Sequence, residues 1–258
     1  MSAERPDRGE ARPDRGDLRI VARSDLGKIR GNNEDCLAFD ARLGIAALAD
    51  GMGGPNAGEV ASATAIDVVM QYVVEQSDRL HGGDAAQTLR DALAAANRRV
   101  HALAEARREY NGMGTTLVVA LVHDGAFVAA HVGDSRAYRF RRGELMRLTA
   151  DHSLVQQLVA QGILSSAEAR LAPNRNIVTR AIGIEADVEC DVTDVDARDG
   201  DLFLLCSDGL TDMIDDAAIA QLCARHADAD VSLIADALIE AALGAGGFDN
   251  VSVIVLAP

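Results

Sequence analysis

The sequence predicts an α+β protein built on two antiparallel β-sheets packed face to face, with helices outside. Three observations carry this. About ten short apolar segments follow one another as meanders, joined by turn signals such as Asp124-Gly125 and Arg142-Gly143. Helical periodicity comes in two blocks instead of alternating with every strand, which argues against a parallel sheet. With 258 residues, 48% of them apolar, the chain can bury a sizeable core without disulfides.

Taken in order, Leu18 to Ser24 alternates apolar and polar residues and reads as a strand. Cys36 to Phe39 and Leu43 to Ala49 follow, the latter apolar on both faces and therefore central. The run Gly51-Met52-Gly53-Gly54-Pro55 breaks the chain before a helix from Gly58 to about Gln76. A longer helix, Asp84 to Tyr110, carries Leu89, Leu93, Ala96, Val100 and Leu103 on one seam, and the two helices form a hairpin. Thr115 to His123, Ala126 to Val132, Arg136 to Phe140 and Leu145 to Thr149 are the next strands. Residues 151–176 are polar and helical. Ile177 to Ile182, Val188 to Val195, Leu202 to Cys206 and Val251 to Leu256 complete the strands, with helices at Asp215 to Ala224 and Asp230 to Leu243. No composition break divides residues 18–258, so they read as one domain. Residues 1–17 hold a repeated Arg-Pro-Asp-Arg-Gly and almost nothing apolar, and read as a disordered tail.

Charge narrows the function. Against 25 basic residues stand 40 acidic ones, net −15, which disfavours a phosphate-backbone partner and excludes non-specific nucleic-acid binding. Seventeen acidic and two basic residues lie between Ile184 and Pro258, a solvated acidic surface. Lys28 is the only lysine and lacks the Ser/Thr of a phosphate loop. No uncharged stretch is long enough to span a bilayer, and the charged first twenty residues are no secretory signal. Cys36, Cys190, Cys206 and Cys223 lack metal spacing and read as small buried residues in a reducing, cytoplasmic setting.

Several carboxylates sit where acids are unexpected. Asp50 ends an apolar strand and precedes Gly51. Asp208 follows Leu202 to Ser207 and precedes Gly209, Asp134 follows Ala129 to Gly133, Asp249-Asn250 opens the last strand, and Glu34-Asp35 leads into another. One Asp-Gly is an ordinary turn. Five acids capping core strands would repel one another, and a pair of hard divalent ions resolves the conflict. A glycine after the Asp also lets a backbone carbonyl turn inward as a further ligand. A dinucleotide loop at Gly51 fails because Asp50 would face the pyrophosphate. A kinase magnesium acid at Asp208 lacks its catalytic loop and strand lysine. A haloacid-type nucleophile lacks its Asp-x-Asp, and a calcium protein would concentrate its ligands in one short loop.

The motifs Arg30-Gly-Asn-Asn-Glu34-Asp35, Ala49-Asp50-Gly51-Met52-Gly53-Gly54, Gly114-Thr115-Thr116, Val132-Gly133-Asp134-Ser135-Arg136, Asp151-His152-Ser153, Cys206-Ser207-Asp208-Gly209-Leu210 and Asp249-Asn250-Val251-Ser252 appear in this order. Together they resemble the metal-dependent protein phosphatases of the PP2C (PPM) family in its compact bacterial form, over residues 18–258. The resemblance implies a β-sandwich flanked by helix pairs, with a flap over about 151–176. It implies hydrolysis of phosphoserine and phosphothreonine by a hydroxide bridging two Mn²⁺ or Mg²⁺ ions. Asp50 would bridge the ions, the Gly51 carbonyl would serve one, and Asp208 and Asp249 the other. Asp134 with Asp208 would hold a third, weaker ion. Asp35 would orient waters, with Glu34 and Asn250 behind the ligands, and Arg30 would bind phosphate. Met52 stands where eukaryotic members often place a His, so the leaving-group acid is unassigned. His152 is the side-chain candidate, the alternative being that it only fixes the flap by hydrogen bonding. The implied partners are phosphorylated proteins, including a Ser/Thr protein kinase and its substrates, and the chain is expected to act as a monomer. A stress-response phosphatase acting on an anti-sigma antagonist and a non-catalytic pseudophosphatase scaffold are the alternatives; the latter would have lost metal ligands, and none is lost.

Overall fold

The computed structural model describes residues 18–54, 57–80, 84–226 and 230–258; the expected tail, 1–17, lies outside them. In chain order the elements are β1 (Arg19–Asp25), β2 (Asp35–Asp40), β3 (Ile45–Met52), α1 (Ala57–Glu75), α2 (Ser77–Leu80), α3 (Ala85–Ala106), β4 (Gly114–Thr115), β5 (Leu117–His123), β6 (Ala126–Val132), β7 (Arg136–Arg141) and β8 (Glu144–Arg147). Then come α4 (Leu154–Ala160), α5 (Ser166–Leu171), β9 (Asp191–Asp196), β10 (Leu202–Cys206), α6 (Asp208–Thr211), α7 (Asp216–Arg225), α8 (Val231–Gly244) and β11 (Val251–Ala257).

The strands form two antiparallel sheets, ordered β1-β11-β10-β7-β8 and β2-β3-β5-β6-β9, with β4 paired to β3. Alternation along each strand sends residues to two different cores. Ala46, Leu48, Phe127 and Ala129 meet Phe203, Leu205, Ile254 and Leu256 between the sheets. The Phe127 and Phe203 rings stack there at 4.0 Å, worth about 0.5–1.5 kcal/mol beyond their burial. The opposite registers, Ala47 and Ala49, lie under α1 and α3, whose Ala61, Ala65, Val69, Leu89, Leu93 and Val100 are buried. Leu204, Val253 and Val255 lie under α7 and α8. The result is a four-layer helix–sheet–sheet–helix stack.

Turn chemistry agrees with the sequence. Asp124 and Gly125 both have positive φ (47° and 75°), as do Arg142 and Gly143 (53° and 86°), the geometry of tight hairpin turns. Three expected elements need correction. The long helix stops at Ala106, because Arg107 turns extended (φ −133°, ψ 117°) before a short 3₁₀ turn at Arg108–Tyr110. Ile177 to Ile182 is not a strand. Val178 bridges Ser153 and Ile182 bridges Thr115, so its two ends have different partners and no continuous ladder forms. Val188 to Val195 begins pairing only at Asp191, which stands opposite His131 near the end of β6. Cys206 and Cys223 are buried as expected, whereas Cys36 and Cys190 are half-buried; all four are free.

Candidate active site

Antiparallel pairing decides where the acids go. Since β2 starts where β3 ends, Asp35 stands opposite Asp50. In the other sheet β10 ends where β11 begins, and Ser207 N–H donates to Ser252 O at 3.1 Å beside that junction. Asp208 follows Ser207 as the first residue of α6, and Asp249 precedes β11 by two residues. Asp134 lies in the link by which β6 of one sheet passes to β7 of the other. All five therefore gather at one end of the sandwich.

Close backbone packing holds them there. A Cβ on Gly51 would overlap the carbonyls of Gly58 and Glu34, and one on Gly209 would overlap the Asn250 carbonyl. Gly133, at φ +107°, sits against the Thr116 side chain. Asn250 Oδ1 accepts from Glu34 N–H, and its Nδ2 donates to the carbonyls of Leu26 and Asn32, each at 2.9 Å, which fastens the 26–34 loop to β11. The backbone of Asp50 is fixed by Thr115 and Thr116: Thr116 Oγ1 accepts from Asp50 N–H, while Thr116 N–H and Thr115 Oγ1 donate to the Asp50 carbonyl. The Glu34 carbonyl accepts from Gly51 N–H and Ser62 Oγ, so Glu34 lies directly behind the Asp50–Gly51 backbone.

The electrostatics are those of crowded anions. Asp50 and Asp208 keep some solvent access, yet the protein displaces most water around them. Burial first, then neighbouring carboxylates, pushes both well above the usual range. For Asp50 those neighbours are Asp35, Asp208, Asp134 and Asp249. Asp134 is raised to about 6 by burial, with Asp151 and Asp212 adding to it. Asp35 is also raised to about 6 by burial, although Ser252 and Ser207 favour its ionised form. Its Oδ2 accepts from Ser207 Oγ at 2.9 Å, while its buried Oδ1 has no hydrogen-bond partner. A backbone cradle closed to any side chain, an unpaired buried carboxylate oxygen and an all-oxygen donor set fit a hard divalent cation.

Arg30 reaches the same place: its Nη2 donates to Asp249 Oδ2 at 2.7 Å, and that partner raises its pKa. Beside the acids runs a cleft of about 570 Å³ whose walls include Asp134, Asp208 and Asp212 on one side and Val155, Val159 and Arg170 of α4 and α5 on the other. Ser165 and Glu168 form a reciprocal capping box at the start of α5. Arg175, just beyond α5, lies 3.4 Å from Asp212.

His152 is placed differently from the acids. Its Nδ1 accepts from Gly133 N–H at 3.1 Å, and its Nε2 faces Asp191 at 3.4 Å. Burial, His131 and Arg180 all lower its pKa against the opposing effect of Asp191, and this net lowering favours the neutral ring.

Two participants escaped the sequence reading. Asp212 lies four residues after Asp208, one helical turn on, and that spacing was the available signal. Asp151 makes a two-pronged ion pair with Arg136, with Nη2 to Oδ2 at 2.7 Å, and raises Asp134. It was visible only as part of a motif.

A two-sheet sandwich thus carries a cluster of buried carboxylates at one end with an arginine beside it, an oxygen-donor site suited to hard divalent cations. The protein phosphatase 2C family model matches residues 31–231, and the chain belongs to that family. It is 42% identical over 238 residues to the serine/threonine protein phosphatase PstP of Mycobacterium tuberculosis, a match covering 92% of this chain and 44% of that protein. The chain thus spans less than half the length of that relative. It is 37% identical to the serine/threonine phosphatase stp of Listeria innocua, covering 91% and 93% of the two chains. Among solved structures, the PstP catalytic domain in complex with two manganese ions matches with a TM-score of 0.83 at 40% identity, over 93% of this chain and 97% of that one.

Proposed function

We propose that the chain is a phosphoprotein phosphatase that hydrolyses phosphoserine and phosphothreonine with two Mn²⁺ or Mg²⁺ ions. The observation that carries this is the convergence of Asp35, Asp50, Asp134, Asp208 and Asp249 from both sheets beside Arg30. Asp50, the Gly51 carbonyl, Asp208 and Asp249 are the residues that would hold the pair, and Asp134 with Asp208 and Asp212 a weaker third ion. When bound, such ions lower the pKa of water and offset charge on the phosphoryl oxygens.

The chain's own groups do the rest. Arg30 offers a planar fork of N–H donors to phosphoryl oxygens, a match for their geometry that a lysine lacks. Asp35 Oδ1 accepts an O–H from the attacking water and fixes its direction, while Ser207 holds Oδ2. Transfer of the phosphoryl group directly to water needs no covalent intermediate on the protein. The substrates are phosphorylated proteins, among them a Ser/Thr kinase and that kinase's own targets. The net charge of −15 supports a protein over a nucleic-acid partner. Four free cysteines suit a reducing compartment, and we place the protein in the cytoplasm. A pseudophosphatase is disfavoured because every acid in the cluster is present.

Phosphate release from phosphothreonine and phosphoserine peptides tests the proposal. Turnover is expected with Mn²⁺ or Mg²⁺ and none with chelator. Full turnover in excess EDTA refutes it.

A further inference from the structure

His152 is joined to Gly133 twice. Its backbone N–H donates to Gly133 O at 2.9 Å, and its ring Nδ1 accepts from Gly133 N–H at 3.1 Å. Because Nδ1 is an acceptor, the proton of the neutral ring is on Nε2. The group that can receive it is Asp191, whose Oδ2 lies 3.4 Å away. Arg180 brings Nη1 to 3.1 Å from Nε2, but both are donors there. The Arg180 N–H groups find their acceptors in Asp191 Oδ1 at 3.1 Å and the Glu189 carbonyl at 3.2 Å. The far face of the ring stacks on His131 at 4.6 Å, and His131 Nε2 is itself 2.9 Å from the Ala150 carbonyl. His131, His152 and Asp191 bring three ligand atoms within 4.8 Å of one another, but a guanidinium, already the counter-cation, faces them, so they do not make a second metal site.

We propose that Asp191 and Arg180 are positioning residues for the metal site, acting through His152 on Gly133 and so on Asp134. Resting on the phosphatase reading, the positioning effect passes from the outside inward. Arg180 orients Asp191. Asp191 fixes the Nε2–H tautomer, leaving the Nδ1 lone pair for Gly133 N–H. Gly133 is held in a left-handed conformation against Thr116, and the next residue is Asp134. The other tautomer, with the proton on Nδ1, would present N–H to N–H, and the Gly133 link would be lost. Outer partners that set the direction of a ligand in this way change metal affinity about 10- to 100-fold when removed.

The test compares Asp191→Ala, Asp191→Asn, Arg180→Ala and His152→Ala with the unaltered chain, using Mn²⁺ calorimetry together with kinetics on p-nitrophenyl phosphate and a phosphoserine peptide. Asp191 is half exposed on an edge strand, so its variants should fold, and melting temperatures check this. Asp191→Ala should weaken the weakest Mn²⁺ event about tenfold or more, spare the tight ions, and lower kcat on both substrates alike. Asp191→Asn keeps an acceptor for Nε2–H and should restore most of the affinity. Arg180→Ala should fall between them, and His152→Ala should reproduce Asp191→Ala. An unchanged isotherm in Asp191→Ala overturns the proposal. So does a His152→Ala loss confined to the phosphoserine peptide, which would make His152 the leaving-group acid. Absence of Mn²⁺ binding and turnover in the unaltered chain would instead refute the phosphatase reading itself.

Discussion

Asp35 and Asp50 face each other across the β2–β3 ladder, a like-charge pair in direct cross-strand register with a third acid, Asp208, close enough to raise Asp50 further. Like charges placed so are destabilising. Raised carboxyl pKa values mean that the folded, metal-free protein binds more protons than the unfolded chain. Their stabilising contribution is therefore complete below the ordinary carboxylate range, near pH 4, and is lost as pH rises through about 6 for Asp35 and Asp134 and higher for Asp50 and Asp208. Divalent cations bind the ionised cluster and offset that loss. The melting temperature should rise with Mn²⁺, by about 2.7 kcal/mol of stability at a hundredfold excess over Kd. The gap between metal-loaded and EDTA-treated protein should widen from pH 5 to pH 7.5. Calorimetric melts at both pH values check this; a gap that narrows with pH contradicts the repulsion argument.

Arg30 lies beside Asp249 with its guanidinium half exposed. An exposed ion pair alone is worth about 0–1 kcal/mol. If the group also clamps phosphate, Arg30→Ala should raise KM for phosphopeptides about tenfold or more, the size of a lost charge-assisted contact. Arg30→Lys should recover only part, because it lacks the planar fork. Unchanged steady-state kinetics in Arg30→Ala would leave it a surface ion pair.

Much of this was legible in the sequence, for a definite reason. Asp50, Asp134, Asp208 and Asp249 each interrupt or cap an apolar run, so their cost was visible residue by residue. Antiparallel pairing then forced strand ends together, which a one-dimensional pattern implies once the sheets are granted. Asp191 was not legible, because its role depends on the β6–β9 register that sets it beside His131. Ile177 to Ile182 misled for the converse reason: its apolar spacing suits a strand, but strand formation needs one continuous partner, and its ends have two.

In the proposed arrangement Asp212 would separate the weak ion from the tight pair. It raises both Asp208 and Asp134, whereas the neighbours that chiefly raise Asp50 are Asp35, Asp208, Asp134 and Asp249. Asp212→Ala and Asp134→Ala should each keep two tightly held Mn²⁺ ions and lose the weaker one. Calorimetry that shows the tight ions lost in either variant would merge the two sites.

Gly51 is constrained by neighbours that cannot yield. A methyl group there would overlap two backbone carbonyls, Gly58 and Glu34. Gly51→Ala should cost about 1–3 kcal/mol of stability, the range for forced backbone shifts, and weaken Mn²⁺ binding because Asp50 moves with it. Gly54→Ala, with open space at its Cβ, is the control and should leave the melting temperature close to wild type.

The central claim is that one acid cluster serves both metal binding and phosphate-ester hydrolysis. The most direct measurement is a Mn²⁺ titration followed at once by calorimetry and by phosphate release from a phosphothreonine peptide, in the unaltered chain and in Asp50→Ala. The account predicts at least two ions bound per unaltered chain, turnover that rises as they bind, and loss of both signals together in Asp50→Ala. A binding isotherm in Asp50→Ala that matches the unaltered chain, or turnover that persists without bound metal, would contradict it.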